Sequence, residues 1–88
     1  MANATYFTGS VTVGTTPTKV CTVPMENDDV VVYCSVATVF GGPGVTATTG
    51  VTVPPTTFAH IPSTGAYPHD LYAIVSTGTS TVAFMYPE

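Results

Sequence analysis

Three residues in the second half of the chain have side chains that could form a hydrolytic site: Ser63, His69 and Asp70. A Ser-His-Asp triad needs the imidazole to lie between the hydroxyl and the carboxylate, with a hydrogen bond to each. His69 and Asp70 are adjacent, and adjacent residues of a strand point to opposite faces of a sheet. The chain also lacks a Gly-x-Ser-x-Gly turn that would expose a nucleophile. We therefore expect no catalytic residues and no enzymatic activity.

The same region contains side chains that can bind a metal ion, because His60 and His69 flank a loop rich in proline and glycine and Asp70 follows it. Three ligands from separate loops need a geometry that sequence spacing does not define, so we predict no metal site. The segment Gly41-Gly42-Pro43-Gly44 does not match a phosphate-binding loop, since no lysine follows it and no helix is predicted after it. The sequence therefore predicts no cofactor.

Cys21 and Cys34 are the only cysteines in the chain. A two-residue turn at Asn27-Asp28 would form a hairpin in which Cys21 lies directly opposite Cys34. Opposed Cβ atoms lie about 4.5–5.5 Å apart and a disulfide needs about 3.5–4.5 Å, so a bridge would fit only tightly. The alternative is two buried free thiols that pack as small hydrophobic groups. The first residues do not resemble a secretory signal, so we expect a reducing cytoplasm and free thiols.

The charge of the chain excludes several classes of partner. Lys19 is the only lysine or arginine among 88 residues, and the net charge is -4. Nucleic acids and anionic membranes are bound through clusters of basic residues, so we expect neither as a partner. No apolar run reaches the roughly 18–20 residues of a membrane-spanning helix. Only 7% of the residues are charged, against about 25% in typical domains, which favours a component of an assembly over a freely diffusing enzyme.

The composition predicts a fold built of strands. Thr (18 residues) and Val (14 residues) are β-branched, and eight glycines and eight prolines interrupt the chain at short intervals. Predicted strands cover residues 4–13, 18–24, 29–40, 45–53, 56–61, 70–75 and 81–86. This spacing predicts a single all-β domain, residues 1–88, with six to eight short strands in a small antiparallel β-sandwich or barrel, jelly-roll-like in organisation. The run of three valines from Val30 to Val32 favours a central strand covered on both faces.

The last two strands are predicted to form a hairpin with Gly78-Thr79 in the turn, because glycine accepts the positive φ of a type II′ turn. In that register Val75 faces Val82 on one side, and Tyr72 faces Met85 on the other. Both faces would then be apolar. We expect one face to lie in the core and the other to be covered by an adjacent subunit, which makes Tyr72 and Met85 candidate interface residues.

Several segments resemble a known group of proteins. They are Thr15-Thr16-Pro17-Thr18, the strand from Val30 to Val39, the segment from Gly41 to Gly50, Asp70-Leu71-Tyr72-Ala73 and the closing segment from Val82 to Pro87. From about Thr15 onward the chain resembles the small Thr/Val/Gly-rich virion proteins of tailed bacteriophages, above all the capsid decoration (minor capsid) proteins of phages of actinobacteria. The resemblance implies a small antiparallel β-fold that assembles, often as a trimer, on the outside of a filled head and has no catalytic residues. The acidic segment from Met25 to Asp29 departs from the neutral, glycine-rich turn expected there.

The function expected from the sequence is therefore structural. A non-enzymatic virion protein, made in the cytoplasm of the bacterial host, would bind the outer surface of the major capsid protein lattice as a homo-oligomer, with a trimer favoured. Residues 1–8 are a candidate N-terminal arm in which Tyr6 and Phe7 anchor the chain to a neighbouring subunit or to the capsid. The alternative is a fibre or tail β-sandwich module that binds carbohydrate or protein on the host surface.

Overall fold

The computed structural model describes residues 6–23, 30–61 and 69–87, and every regular element in these ranges is a strand. The expected all-β fold is confirmed. The eight strands are β1 (Tyr6–Val13), β2 (Thr18–Val23), β3 (Val30–Cys34), β4 (Thr38–Gly41), β5 (Val51–Val53), β6 (Thr57–Ile61), β7 (His69–Ile74) and β8 (Ser80–Pro87).

The strands form two four-stranded sheets in which neighbouring strands are antiparallel. The first sheet has the order β1-β8-β3-β6 and the second has the order β2-β7-β4-β5. The first strand thus pairs with the eighth, the second with the seventh, the third with the sixth and the fourth with the fifth. This is the strand order of a jelly roll, in which one long antiparallel ribbon is folded over into two facing sheets.

Both predicted hairpins are wrong, because the two strands of each predicted pair lie in different sheets. β2 pairs with β7 while β3 pairs with β6 and β8, so Cys21 does not lie opposite Cys34. β7 lies in the second sheet and β8 in the first, so Tyr72 does not pair with Met85. Gly78 has the predicted positive φ, 70°, but its turn leads across the sandwich. Among the described strands, only β4 and β5 are consecutive and paired.

The core lies between the two sheets and consists mainly of valine. In β3, Val30, Val32 and Cys34 are fully buried, while Val31 and Tyr33 point to the other side and are partly exposed. This alternation is the period of two that a strand with one buried face must have. β3 is a central strand, as predicted, but only one of its faces packs against the opposite sheet.

The candidate N-terminal arm falls partly outside the described residues, since residues 1–5 are not among them. Residues 6–8 belong to β1, where Tyr6 pairs with Pro87, Phe7 with Tyr86 and Thr8 with Met85. The described part of this segment is therefore an integral part of the first sheet, because its backbone groups are hydrogen-bonded to β8.

Candidate interaction surface

The residues proposed from the sequence for catalysis or metal binding are not brought together. His60 is exposed on β6 of the first sheet, whereas Asp70 is exposed on β7 of the second. Asp70 Oδ1 instead lies 3.5 Å from Lys19 Nζ and accepts a hydrogen bond of 3.0 Å from Thr22 Oγ1. Ser63 and the side chain of His69 lie outside the described residues. In the described part of the chain, no three His, Cys, Asp or Glu residues are grouped so that they could hold a metal ion.

The two cysteines are free thiols buried in the core, Cys21 on β2 and Cys34 on β3. Burial raises the pKa of Cys21 from 9.0 to about 11, and the positive charge of Lys19 opposes part of that rise. Cys34 Sγ lies 3.5 Å from the carbonyl oxygen of Pro54 and 3.6 Å from that of Val53. Because the thiolate is the nucleophilic form and Cys21 strongly disfavours it, this thiol has the properties of a packing residue.

The apolar part of the outer face of the second sheet is covered by the chain itself. The loop of residues 42–50 joins β4 to β5, and we call it the β4–β5 loop. Its Val45 is buried against Val39 and Ile74, with Tyr72 packed beside them. Tyr72 thus packs beside its own chain's loop cluster, so this apolar face does not need an adjacent subunit to cover it, and a subunit contact at Tyr72 stays a prediction. The sequence does not reveal this because the cover comes from residues far from β7 in the chain.

Local hydrogen bonds give the β4–β5 loop a defined shape. Val45 N donates to Gly42 O over 3.0 Å, and Thr49 N donates to Thr46 O over 3.2 Å. Thr46 N also donates to Thr49 Oγ1 over 2.9 Å. These bonds use the backbone groups of the loop internally, so Val45 is presented to the sheet by an ordered turn.

The outer face of the first sheet has a different character. Strand pairing aligns its outward-pointing residues in two rows, Thr8–Met85–Val31–His60 and Ser10–Ala83–Tyr33–Phe58. We call the apolar part of these rows the open face; it consists of Val31, Tyr33, Phe58, Ala83 and Met85. No residue of the two rows has a formal charge, and no described segment packs over them as the β4–β5 loop does over the second sheet.

The most exposed apolar side chain of the open face is Phe58, at 69%, and Met85 is exposed at 38%. The rings of Phe58 and Tyr33 lie 5.0 Å apart between centroids, inclined at 52°. A shallow depression of about 240 Å³ lies beside them and is lined by Thr8, Gly9, Val31, Val32, Tyr33, Phe58, Ala83 and Phe84. An apolar, uncharged and shallow surface suits contact with another protein surface, where aromatic anchors contribute most of the binding energy.

A second depression, of about 350 Å³, lies at one edge of the sandwich. It is lined by Phe40, Gly41, Val51, His60, Ile61 and Leu71. Among the described residues that line it, His60 is the one with a titratable side chain. Apolar side chains and a single imidazole do not indicate a particular chemical reaction for this depression.

Of the four candidate interface residues, Met85 lies on the open face and Tyr72 lies on the opposite sheet. The side chains of Tyr6 and Phe7 are outside the described residues. Sequence reasoning missed Tyr33 and Phe58 as surface residues. The alternation of buried and exposed residues along each strand could have identified them. Tyr33 lies between the buried Val32 and Cys34, so its side chain points to the outer face of the sheet.

Comparison with known proteins identifies no relative, because no protein-family model, no curated protein and no solved structure matches the chain. No helix of sufficient length and hydrophobicity to span a membrane occurs in the described residues. The interpretation of function therefore depends on the surfaces of this molecule and on the resemblance stated from its sequence.

Proposed function

We propose that the protein is a non-enzymatic structural component of a tailed-phage virion that binds the outer surface of the assembled major capsid lattice through its open face. The observation that supports this proposal is the contrast between the two sheets. On the outer face of the second sheet the apolar Val39 and Ile74 are covered by Val45, whereas the open face leaves Phe58 69% exposed. The resemblance of the sequence to capsid decoration proteins supplies the identity of the partner.

The chemistry of the open face fits repeated docking on a lattice. Burying about 100 Å² of apolar surface on Phe58 and Met85 would contribute about 2.5 kcal/mol. The uncharged Thr8 and Ser10 beside them can be covered without desolvating a charge. A single contact of this kind is modest, since stable interfaces bury about 800 Å² per partner. Many copies on one capsid would still stabilise it, because each copy would bridge neighbouring capsid subunits and the contacts would add.

Phe58 and Val51 provide a matched pair of variants for the test. Both side chains are exposed at 69%, and they lie on neighbouring edge strands of different sheets, β6 and β5. Phe58→Ser removes the aromatic anchor of the open face, and Val51→Ser removes an equally exposed apolar side chain elsewhere. Val51 also lines the edge depression, so the pair separates binding through the open face from binding through that depression.

Phage particles prepared without the protein are incubated with wild-type protein or with either variant, and bound copies are counted by quantitative mass spectrometry. We expect wild-type and Val51→Ser protein to bind in hundreds of copies and to raise resistance to heat and osmotic shock. Phe58→Ser should bind at least tenfold more weakly. Equal binding by both variants would exclude the open face, and particles that are equally resistant with and without the protein would exclude the stabilising role.

A fibre or tail module that binds host carbohydrate is the second candidate, and the Tyr33–Phe58 pair favours it. Exposed aromatic rings 5.0 Å apart offer a surface on which a sugar ring can stack. The same variants decide between the candidates. Loss of binding to host cell-wall glycan with Phe58→Ser, together with a few dozen copies or fewer per particle, would support the fibre module.

A further inference from the structure

The four edge strands of the sandwich differ in how well they are protected from pairing with another strand. β1 and β6 are the edges of the first sheet, and β2 and β5 are the edges of the second. An edge strand presents unpaired backbone N–H and C=O groups, and proteins protect such edges by short length, charge, proline or a β-bulge. The inference from these edges does not depend on capsid binding.

Three of the edges have such protection. β2 has an irregular register between Lys19 and Cys21, and Lys19 is itself charged. β5 has only three residues. β6 has five residues, follows Pro54-Pro55 and precedes Pro62 in the sequence.

β1 has none of these features. It has eight residues, Tyr-Phe-Thr-Gly-Ser-Val-Thr-Val, with no charge and no proline. Its register with β8 continues without a shift from Tyr6 to Val13. Among the described strands β8 is its only hydrogen-bonded neighbour, so the other edge of β1 is a long, regular and neutral row of backbone groups.

We propose that β1 pairs in an antiparallel manner with β1 of a second copy, which joins two first sheets into one eight-stranded sheet. A second copy fits because an antiparallel strand pair is two-fold symmetric and hence self-complementary. The outward side chains that would meet, Thr8, Ser10 and Thr12, are small and exposed. Lys19 and Asp70 lie on the other sheet. Among the described residues, the pairing therefore brings no charged side chain close to the same side chain of the second copy.

The geometry of the sheet restricts the register of this pairing. A two-fold axis perpendicular to the sheet keeps outward residues opposite outward residues, so paired residue numbers must sum to an even number. Centred on Ser10, the pairing sets Ser10 opposite its own copy and Thr8 opposite Thr12. Centred on Gly9, it sets Thr8 opposite Ser10. Ser10 lies at or beside the axis in both registers, and the free protein is then a dimer, not the trimer that the sequence resemblance implies.

A charged residue at position 10 tests the proposal with the purified protein in solution, without phage particles. Ser10→Lys would bring two ammonium groups to about 5–10 Å of each other across the paired edges. Thr52→Lys is the matched control, since Thr52 is exposed on β5 and receives the same charge. Sedimentation velocity over a wide concentration range measures the dimer, and circular dichroism checks that each variant is folded.

We expect the wild-type protein and Thr52→Lys to dimerise and Ser10→Lys to dimerise at least tenfold more weakly. Hydrogen exchange of the wild-type protein should show amides of β1, and not those of β6, becoming protected as concentration rises. A wild-type monomer at all concentrations, protection confined to another strand, or equal weakening by both lysines would overturn the proposal. A monomer that still binds particles would leave the proposed function intact, and a dimer that does not bind them would overturn that function alone.

Discussion

The hydroxyl of Thr38 on β4 donates a hydrogen bond to Ser80 Oγ on β8 over 2.8 Å, in the buried space between the two sheets. The two residues are 0% and 1% exposed. The carbonyl oxygen of Val36 lies 2.7 Å from Thr38 Oγ1 and 3.4 Å from Ser80 Oγ. Because β4 and β8 belong to different sheets, these hydroxyls link the sheets directly and satisfy each other within a core of valines.

The first prediction is that Thr38 and Ser80 are energetically coupled. Thr38→Val and Ser80→Ala should each lower the free energy of unfolding by about 1 kcal/mol, since each removes the hydrogen bond between the two hydroxyls. The double variant should lose less than the sum, by up to about 1 kcal/mol, because the hydrogen bond that the two residues share can be lost only once. Urea denaturation of the four proteins measures the cycle. Strict additivity would show that the hydrogen bond does not link the two residues.

The second prediction concerns the close approach of the β4–β5 loop to the second sheet. A Cβ at Gly50 would overlap the Phe40 carbonyl oxygen and lie 2.6 Å from Val39 Cγ1 and 2.8 Å from Val45 Cγ2. Gly50→Ala should therefore lower the free energy of unfolding by about 1–3 kcal/mol, as overpacking does. It should also speed hydrogen exchange at Val45, whose amide bonds to Gly42 O.

Gly44→Ala is the control for this loop, because a Cβ there has no neighbour within 4 Å. It should change the free energy of unfolding by less than about 0.5 kcal/mol. If the two alanine variants were equally stable, Val45 would not be packed on the sheet as described.

These contacts show why the strands could be predicted and their partners could not. The β-branched composition and the alternation around Val32 depend on neighbouring residues, so they identify strands and buried faces. Residues 56–61 were predicted as a strand, and β6 covers Thr57–Ile61. Gly78 was predicted to have positive φ and does. Turn chemistry describes only the turn, however, and does not determine which sheet the next strand joins.

The candidate surface was only partly predictable for the same reason. Met85 follows from the alternation of β8, in which Val82 is buried and Ala83 is exposed. Tyr72 has an equally apolar neighbourhood in the sequence, yet its face is covered because Val45 folds back onto it. That contact joins residues far apart in the chain, and local patterns do not encode it.

The third prediction concerns the pH dependence of stability. Burial raises the pKa of Cys21 from 9.0 to about 11, so the folded chain keeps its proton where the unfolded chain loses it. The contribution of this thiol to the free energy of unfolding is at its full value below pH 9. It falls as the pH rises from 9 to 11, because the thiol of the unfolded chain then loses its proton while that of the folded chain keeps it. The free energy of unfolding of the wild-type protein should fall more steeply over that range than that of Cys21→Ala. Parallel curves for the two proteins would contradict the raised pKa.

The fourth prediction concerns the turn between β5 and β6. Thr56 has φ of 54°, a left-handed conformation that costs a β-branched residue about 1–2 kcal/mol. Its amide donates to Cys34 O over 2.8 Å, and this bond fixes the turn against β3. Thr56→Gly keeps that bond and removes the strain, while the more flexible unfolded chain offsets part of the gain.

Thr56→Gly should therefore raise the free energy of unfolding by about 0.5–1 kcal/mol, measured by urea denaturation. Thr57→Gly is the control, because Thr57 begins β6, where no positive φ is present to relieve. It should lower the free energy of unfolding by about 1 kcal/mol, since glycine weakens a strand. Opposite signs at two adjacent threonines would show that backbone conformation, and not loss of a hydroxyl, determines the response. Destabilisation by both variants would mean that the Thr56 side chain contributes more than its strain costs.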